Sequence, residues 1–393
     1  MKRILLYGIL GVYNYGCEAI VRGTVDNLKK AFPKASITYA SINVEEDKKR
    51  LKGCDVEIIE RPVKGAIKRR IIRKLVSYIG IDYKVYYDSF KIIDDYDIIV
   101  SIGGDMYTLS AKGVYPYSLM KLGDIAIKKG KKYIIWGASI GPFDSYPKIL
   151  KKIQKHLRNV SLIISREHET INYLKSIGIH ENVIFLPDPA FYVATANEKL
   201  ITETRTKKNT IGINLSPLST FYFTDDLQKM IAQQVDTILK IIRTFNCDIV
   251  LLPHVISEDI NDDDYRYLLK IKDMVSRIYP QNIRIVEDDP GFIGIKEELK
   301  KCDIVIAARM HCAVNAVATK IPAIFLSYSR KSFGMANLIY KNNDYVVGLE
   351  TFSDANSIID KIKEISKLEI SNFQSNVDQL KKIEQIDKVK EYI

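Results

Sequence analysis

Arg309 and His311 stand where an apolar run, residues 303–307, gives way to a small-residue helical pattern over 309–319. A helix that starts there offers unbonded N–H groups and a partial positive charge. An anion at that point gains from both, and an arginine adds a two-pronged donor suited to carboxylate or phosphate. The competing arrangement pairs Arg309 with a carboxylate and leaves His311 to fill space. After the next apolar run comes Ser327-Tyr328-Ser329-Arg330-Lys331. Tyr328, Arg330 and Lys331 are candidates for the same anion, against the alternative of a solvated basic loop. His254 ends a third apolar run, Leu251-Leu252-Pro253. It joins His311 as a candidate for acid–base work. The acidic run that follows (Glu258, Asp259, Asp262, Asp263 and Asp264) lacks the glycine and final glutamate of a calcium loop. It reads as solvated surface, and no metal is expected.

The N-terminal half holds looser candidates. Gly8, Gly11 and Gly16 form a glycine-rich loop that is not GxGxxG. Its glycines allow a ligand to approach the backbone, and Asn14 and Glu18 are placed to bind hydroxyls. Gly103-Gly104-Asp105 is another tight loop at a strand end, with Asp105 as a polar handle. Gly137-Ala-Ser139-Ile-Gly141 matches GxSxG, but Pro142 follows where a nucleophile elbow needs a helix. Asp105 or Asp188 with a later histidine would complete a triad pattern, a set that chance supplies in a long chain. Asn214 and Ser216, at the end of a strand over 210–215, are further expected substrate-binding residues.

The elements that must position these groups alternate strand and helix twice over. The chain has 393 residues, enough for two domains. Apolar periodicity vanishes over 194–208, which reads as a linker. The expected domains are 1–195 and 206–369, with 370–393 folding back on the first. Two β/α series predict an α/β protein with two doubly wound, Rossmann-like parallel sheets facing a cleft. Ligands in such sheets bind beyond the carboxyl ends of the strands. The formal charge of +11 favours an anionic partner. The run from Lys68 to Lys74 interleaves basic and apolar residues. It suits either a surface helix with an inward apolar face or peripheral contact with an acidic membrane. No nucleic-acid-binding motif is present. Five cysteines without a CxxC pair, no signal-type leader and no membrane-length apolar stretch predict a cytoplasmic location, with the inner membrane face as the place of any membrane contact.

Taken together the motifs resemble those of the polysaccharide pyruvyl transferase family over most of the chain. Asn14-Tyr-Gly16-Cys17-Glu18-Ala-Ile20, Ile102-Gly103-Gly104-Asp105, Ser139-Ile-Gly141-Pro142, Ser165-Arg166-Glu167 and Asp188-Pro189 are similar to its N-terminal and middle motifs. Pro253-His254, Arg309-Met-His311 and Leu326-Ser-Tyr328 with Lys331 are similar to its C-terminal ones. Cys17 stands where that family has Asp, and Ile102 where it has Gly. The resemblance implies a GT-B-like architecture and transfer of pyruvate from phosphoenolpyruvate to a sugar, forming a ketal and releasing phosphate. It implies a glycan or lipid-linked acceptor and no cofactor. It adds Ser139 and Arg166 to the substrate-binding residues. Two rivals remain at this point, a glycosyltransferase using a nucleotide sugar and a non-catalytic anion or glycan binder.

Overall fold

The computed structural model describes residues 1–61, 90–109, 116–193, 209–327, 331–382 and 386–393. Every structural statement below concerns these. The run from Lys68 to Lys74, the expected linker, Tyr328 and Arg330 lie outside the described residues.

The chain divides into two compact units. The first comprises Met1–Gly11, Thr24–Leu186 and Gln385–Ile393. Its strands are β1 (Arg3–Tyr7), β2 (Ser36–Ser41), β3 (Glu57–Glu60), β4 (Ile98–Ile102), β5 (Lys132–Trp136), β6 (Leu162–Ser165) and β7 (Val183–Phe185). They form one sheet in the order β3-β2-β1-β4-β5-β6-β7, and every pairing is parallel. The central strand β4 reads IIVSI and is buried at every position. A continuous apolar run is what a strand covered on both faces requires. Helix α1 (Tyr15–Ala31) begins among residues of the second unit and ends among those of the first. It is followed by α2 (Val44–Arg50), α3 (Tyr117–Lys128), α4 (Pro147–Asn159) and α5 (His168–Ser176). Leu122 and Ala126 of α3 and Ile153 and Leu157 of α4 close a core over Leu5, Ile99, Tyr133 and Ile163 of the strands.

The second unit comprises Val12–Gly23 and Pro187–Glu384. Strands β8 (Thr210–Asn214), β9 (Asp248–Leu251), β10 (Ile283–Ile285), β11 (Ile304–Ala307), β12 (Ala323–Ser327) and β13 (Val346–Gly348) form a sheet in the order β10-β9-β8-β11-β12-β13. It too is parallel at every pairing. The helices are α6 (Leu227–Phe245), α7 (Asp264–Val275), α8 (Gly291–Leu299), α9 (Met310–Ala318), α10 (Lys331–Tyr340), α11 (Ala355–Ile365) and α12 (Ile370–Lys381). Helix α6 has an Asp226 side chain that accepts from Lys229 N at 3.0 Å. It ends on Asn246 in the left-handed region, a favoured way to stop a helix. Helix α9 is apolar nearly all round because it is buried nearly all round.

The division of the chain differs from the expected one in three places. It falls between Leu186 and Pro187, and Val12–Gly23 counts with the second unit. Helix α12 also counts with the second unit, where Phe373 stacks on Tyr340 at 5.7 Å. Only the final residues return to the first, where Tyr392 Oη donates to Glu181 O at 3.3 Å.

The strand orders place one reversal in each sheet. Neighbouring strands leave in opposite directions at β1/β4 and at β8/β11. Such a reversal opens a crevice beyond the strands' carboxyl ends, the usual ligand position in this architecture.

Candidate active site

In the second unit the reversal between β8 and β11 is closed by side chains. Asn214 ends β8 and Arg309 follows β11. Arg309 N donates to Asn214 Oδ1 at 2.8 Å, and Ala308 N to Asn214 O at 3.0 Å. The Asn214 amide donates in turn to Leu252 O at 2.8 Å and to Asp264 Oδ2 at 3.2 Å. Asp264 is the hub. It opens α7 fully buried, and its Oδ2 also accepts from His254 N at 3.1 Å and Val255 N at 3.2 Å. Arg309 grips it from the other side, with Nη2 2.8 Å and Nε 3.1 Å from Oδ1. Nη2 also reaches Asp262 Oδ1 at 2.7 Å. Burial pushes the Asp264 carboxyl upward, while Arg309 and the N–H donors pull it the other way. One carboxylate thereby ties together the ends of β8, β9 and β11.

His254 is set on this frame. Its backbone carbonyl accepts from Tyr15 N at 3.0 Å, and its ring meets the Tyr15 ring edge-on with centroids 5.3 Å apart. The side chain is buried, and neither ring nitrogen has a hydrogen-bond partner among the described residues. Burial draws its pKa well below the ordinary imidazole value, and the nearby His311 and Arg309 draw it further. His254 is therefore neutral at physiological pH. Its ring remains available to take up a proton.

His311 lies in the first turn of α9. Its Nε2 is 3.4 Å from Asp188 Oδ2, a carboxylate buried completely. The ring packs on Gly16, where a Cβ would come within 2.6 Å of Nδ1. The glycine of the Asn14-Tyr-Gly16 motif is thus needed for close approach to His311. Asn14 makes the turn that brings it there. Its Oδ1 accepts from Gly16 N at 2.8 Å, and its backbone bridges to Val255. Asn315, one turn beyond His311, is fully buried with no partner for its amide among the described residues.

Several expected roles change. Asn14 and Glu18 are expected from the sequence to bind hydroxyls. The Asn14 oxygen serves its own turn, and both Glu18 oxygens are engaged, Oε1 by Arg22 Nε at 2.8 Å and Oε2 by Phe292 N at 2.9 Å. Glu18 caps the start of α8, where a negative charge is favourable. Asn214 is saturated as a scaffold, and Ser216 caps the short helix Pro217–Thr220. Arg309, expected to hold an anion, spends its Nε and Nη2 on Asp264 and Asp262. The acidic run is not solvated surface, since Asp263 and Asp264 are buried and Asp262 pairs with Arg309. Tyr13, not foreseen, lies close enough to Asp262 and Arg309 to feel both charges. Lys331 opens α10.

Asp105, Ser139 and Arg166 belong to the first unit, beyond the neighbouring strands β4, β5 and β6. Ser139 N donates to Gly104 O at 2.8 Å. A Cβ on Gly104 would come within 3.0 Å of an Arg166 guanidinium nitrogen. No helix follows Ser139, since α4 starts at Pro147, so the sharp strand-to-helix turn of a serine nucleophile is missing. Among the described residues no group of three metal-ligating side chains assembles, and no helix is long and apolar enough to cross a membrane.

Two doubly wound units, one with paired imidazoles at its strand reversal, define an α/β protein of the GT-B type. The fold is similar to that of UDP-GlcNAc 2-epimerase from Neisseria meningitidis bound to UDP-GlcNAc, with 14% identity, TM-score 0.61 and coverage of 99% of this chain and 98% of that one. It is similar too to a glycosyltransferase from Rickettsia africae, with 14% identity, TM-score 0.57 and coverage of 100% and 98%. At such identity these likenesses concern the fold alone. The chain belongs to the polysaccharide pyruvyl transferase family, whose model matches residues 14–330. It is 23% identical to the amylovoran biosynthesis protein AmsJ of Erwinia amylovora, over 91% of this chain and 89% of that protein.

Proposed function

We propose that the protein transfers the pyruvyl group of phosphoenolpyruvate to a sugar of a surface polysaccharide or its lipid-linked precursor, forming a ketal and releasing phosphate. Family membership and the relative's part in amylovoran biosynthesis support the polysaccharide. The observation that carries the chemistry is the pair of imidazoles at the β8/β11 reversal, one of them buried, neutral and without a hydrogen-bond partner among the described residues.

Ketal formation needs one proton delivered to the methylene carbon and two removed from sugar hydroxyls. The first addition makes an oxocarbenium-like centre at C2, which one hydroxyl attacks. Phosphate leaves with the second proton as the other hydroxyl closes the ring. In this reading neutral His254 accepts a hydroxyl proton, and His311, oriented by Asp188, serves the methylene carbon. Positioned acid–base groups supply ~10²–10⁴-fold in rate. With Arg309 tied to Asp264 and Asp262, the donor's phosphate and carboxylate fall to the N-terminal N–H groups of α9.

The test is incubation with phosphoenolpyruvate and candidate glycans, following phosphate release and acceptor mass. We expect acceptor-dependent phosphate and a mass gain of one pyruvyl ketal. His254→Asn and His311→Asn should each lower turnover by ~10²–10⁴-fold while leaving donor binding within about threefold. No phosphate with any glycan, alongside tight binding of a nucleotide diphosphate sugar, would replace this reading with glycosyl transfer.

A further inference from the structure

In the first unit, α3 and α4 enclose a groove of about 440 Å³. Lys121 and Lys128 line it from α3, and Lys152 and Lys155 from α4. Its single carboxylate, Asp124, is held from below by His156, whose Nδ1 is 2.7 Å from Asp124 Oδ1. His156 is itself buried on Tyr107 and Tyr133, so the floor is a fixed polar network.

The groove lysines contrast with the lysines that are neutralised along their own helices. Lys240, Lys301, Lys361, Lys363 and Lys390 each pair with a carboxylate three or four residues away. Helix α4 reads PKILKKIQKHLRN and has no acidic residue at all. None of the four groove lysines has a carboxylate partner among the described residues. Their apolar neighbours Ile153 and Leu157 are buried in the core, so α4 cannot turn its basic face away. Four ammonium groups facing one engaged carboxylate leave a concave surface of positive potential. Lysine is a compact point charge with three donors and no fork. A phosphate, with more than one negative charge and acceptor oxygens all round, matches such a set better than a single carboxylate does.

We propose that the α3/α4 groove is a phosphate-binding site, separate from the histidine site. It lies wholly in the first unit and shares no residue with Arg309, His254 or His311. It therefore stands whether or not the transferase reading does. The phosphate could be borne by a soluble molecule or by a lipid headgroup, and two probes tell these sources apart.

Inorganic pyrophosphate is titrated into the full chain by calorimetry. Vesicles of phosphatidylcholine with and without phosphatidylglycerol are tested by co-sedimentation. We expect saturable binding of pyrophosphate, of the phosphatidylglycerol vesicles, or of both. Saturable pyrophosphate binding points to a soluble phosphate, and binding to anionic vesicles alone points to a headgroup. The double variant Lys152→Glu/Lys155→Glu, on exposed positions, should bind roughly tenfold more weakly or not at all, the loss of one or more charge-assisted contacts. Lys240→Glu/Lys363→Glu changes net charge equally on the second unit and should bind as the parent does. Unfolding curves confirm that each variant is folded. Absence of binding to both probes, undiminished binding by the groove variant, or equal weakening by both variants would overturn the site.

Discussion

The two strand reversals share a topology and are finished in opposite ways. Between β1 and β4 the first unit removes side chains. Gly8 and Gly103 sit there at φ +133° and +142°, and a Cβ on Gly8 would lie 2.3 Å from Ile102 O. Backbone packs on backbone, and the polar groups Ser139 and Arg166 stand at the next strands. Between β8 and β11 the second unit does the reverse and fills the crevice edge with Asn214, Asp264 and Arg309, each saturating the others. A backbone-built edge leaves room for a ligand, whereas a side-chain-built edge gives a rigid frame on which two imidazoles are set. The second edge should accordingly be the more costly to disturb.

The largest effect is expected at its centre. Arg309→Ala leaves Asp264 buried and charged without its cation, a change worth ~3–5 kcal/mol of stability. Urea unfolding would measure it. The double change Arg309→Met with Asp264→Leu removes both charges together and should recover much of that loss. Equal destabilisation by the single and double variants would show that the hydrogen bonds of Asp264 to β8 and β9, rather than the ion pair, hold the edge.

This centre also marks where sequence reading stopped. The strand–helix alternation was legible because each burial pattern repeats locally. Arg309, His311 and His254 were legible as polar groups ending apolar runs. Their partners were not. Asp264 lies 45 residues from Arg309, and only the sheet order brings the start of α7 onto the ends of β8 and β11. In sequence it is the last of an acidic run, indistinguishable from the exposed Glu258 and Asp259. Glu18 misled for a similar reason. Its contact with Arg22 is one helical turn away, but the N–H that fixes it belongs to Phe292, 274 residues on. Asp188 was visible as part of a motif and as one of many carboxylates that chance could pair with a histidine, but not as the partner of His311.

Gly16→Ala probes the next level, the placement of His311. A Cβ 2.6 Å from Nδ1 must displace the ring. Misplacement of a catalytic group by about 1 Å costs ~10²-fold. We expect that loss in turnover with a fold otherwise retained. The corresponding change Gly104→Ala in the first unit meets the end of the flexible Arg166 side chain at 3.0 Å, and should cost less because that side chain can yield.

His254 gives the comparison a pH dependence. Its folded pKa lies well below the ordinary imidazole value of 6.5, so the unfolded chain takes up the proton first. Stability from this group is complete above the unfolded value and is lost as pH falls toward the folded one. The loss should begin as pH drops below about 6.5. Melting temperatures recorded as pH is lowered from about 7 should fall less steeply in His254→Asn than in the parent. Parallel slopes would mean that His254 is not held neutral by the fold.

The smallest effect is expected at Ser139, and its sign is informative. The side chain is 4% exposed, and its Oγ has no hydrogen-bond partner among the described residues. A buried hydroxyl left unbonded costs ~1–3 kcal/mol. Ser139→Ala removes that penalty and opens almost no cavity, so stability should stay level or rise by up to about 1 kcal/mol. If the backbone-built edge of the first unit is the acceptor's place, the same variant should raise KM for the glycan several-fold and leave phosphoenolpyruvate binding alone. A hydroxyl that weakens the free protein and strengthens only the acceptor complex is one kept for the ligand. A variant less stable than the parent, with KM unmoved, would instead make Ser139 part of the frame and remove the contrast between the two edges.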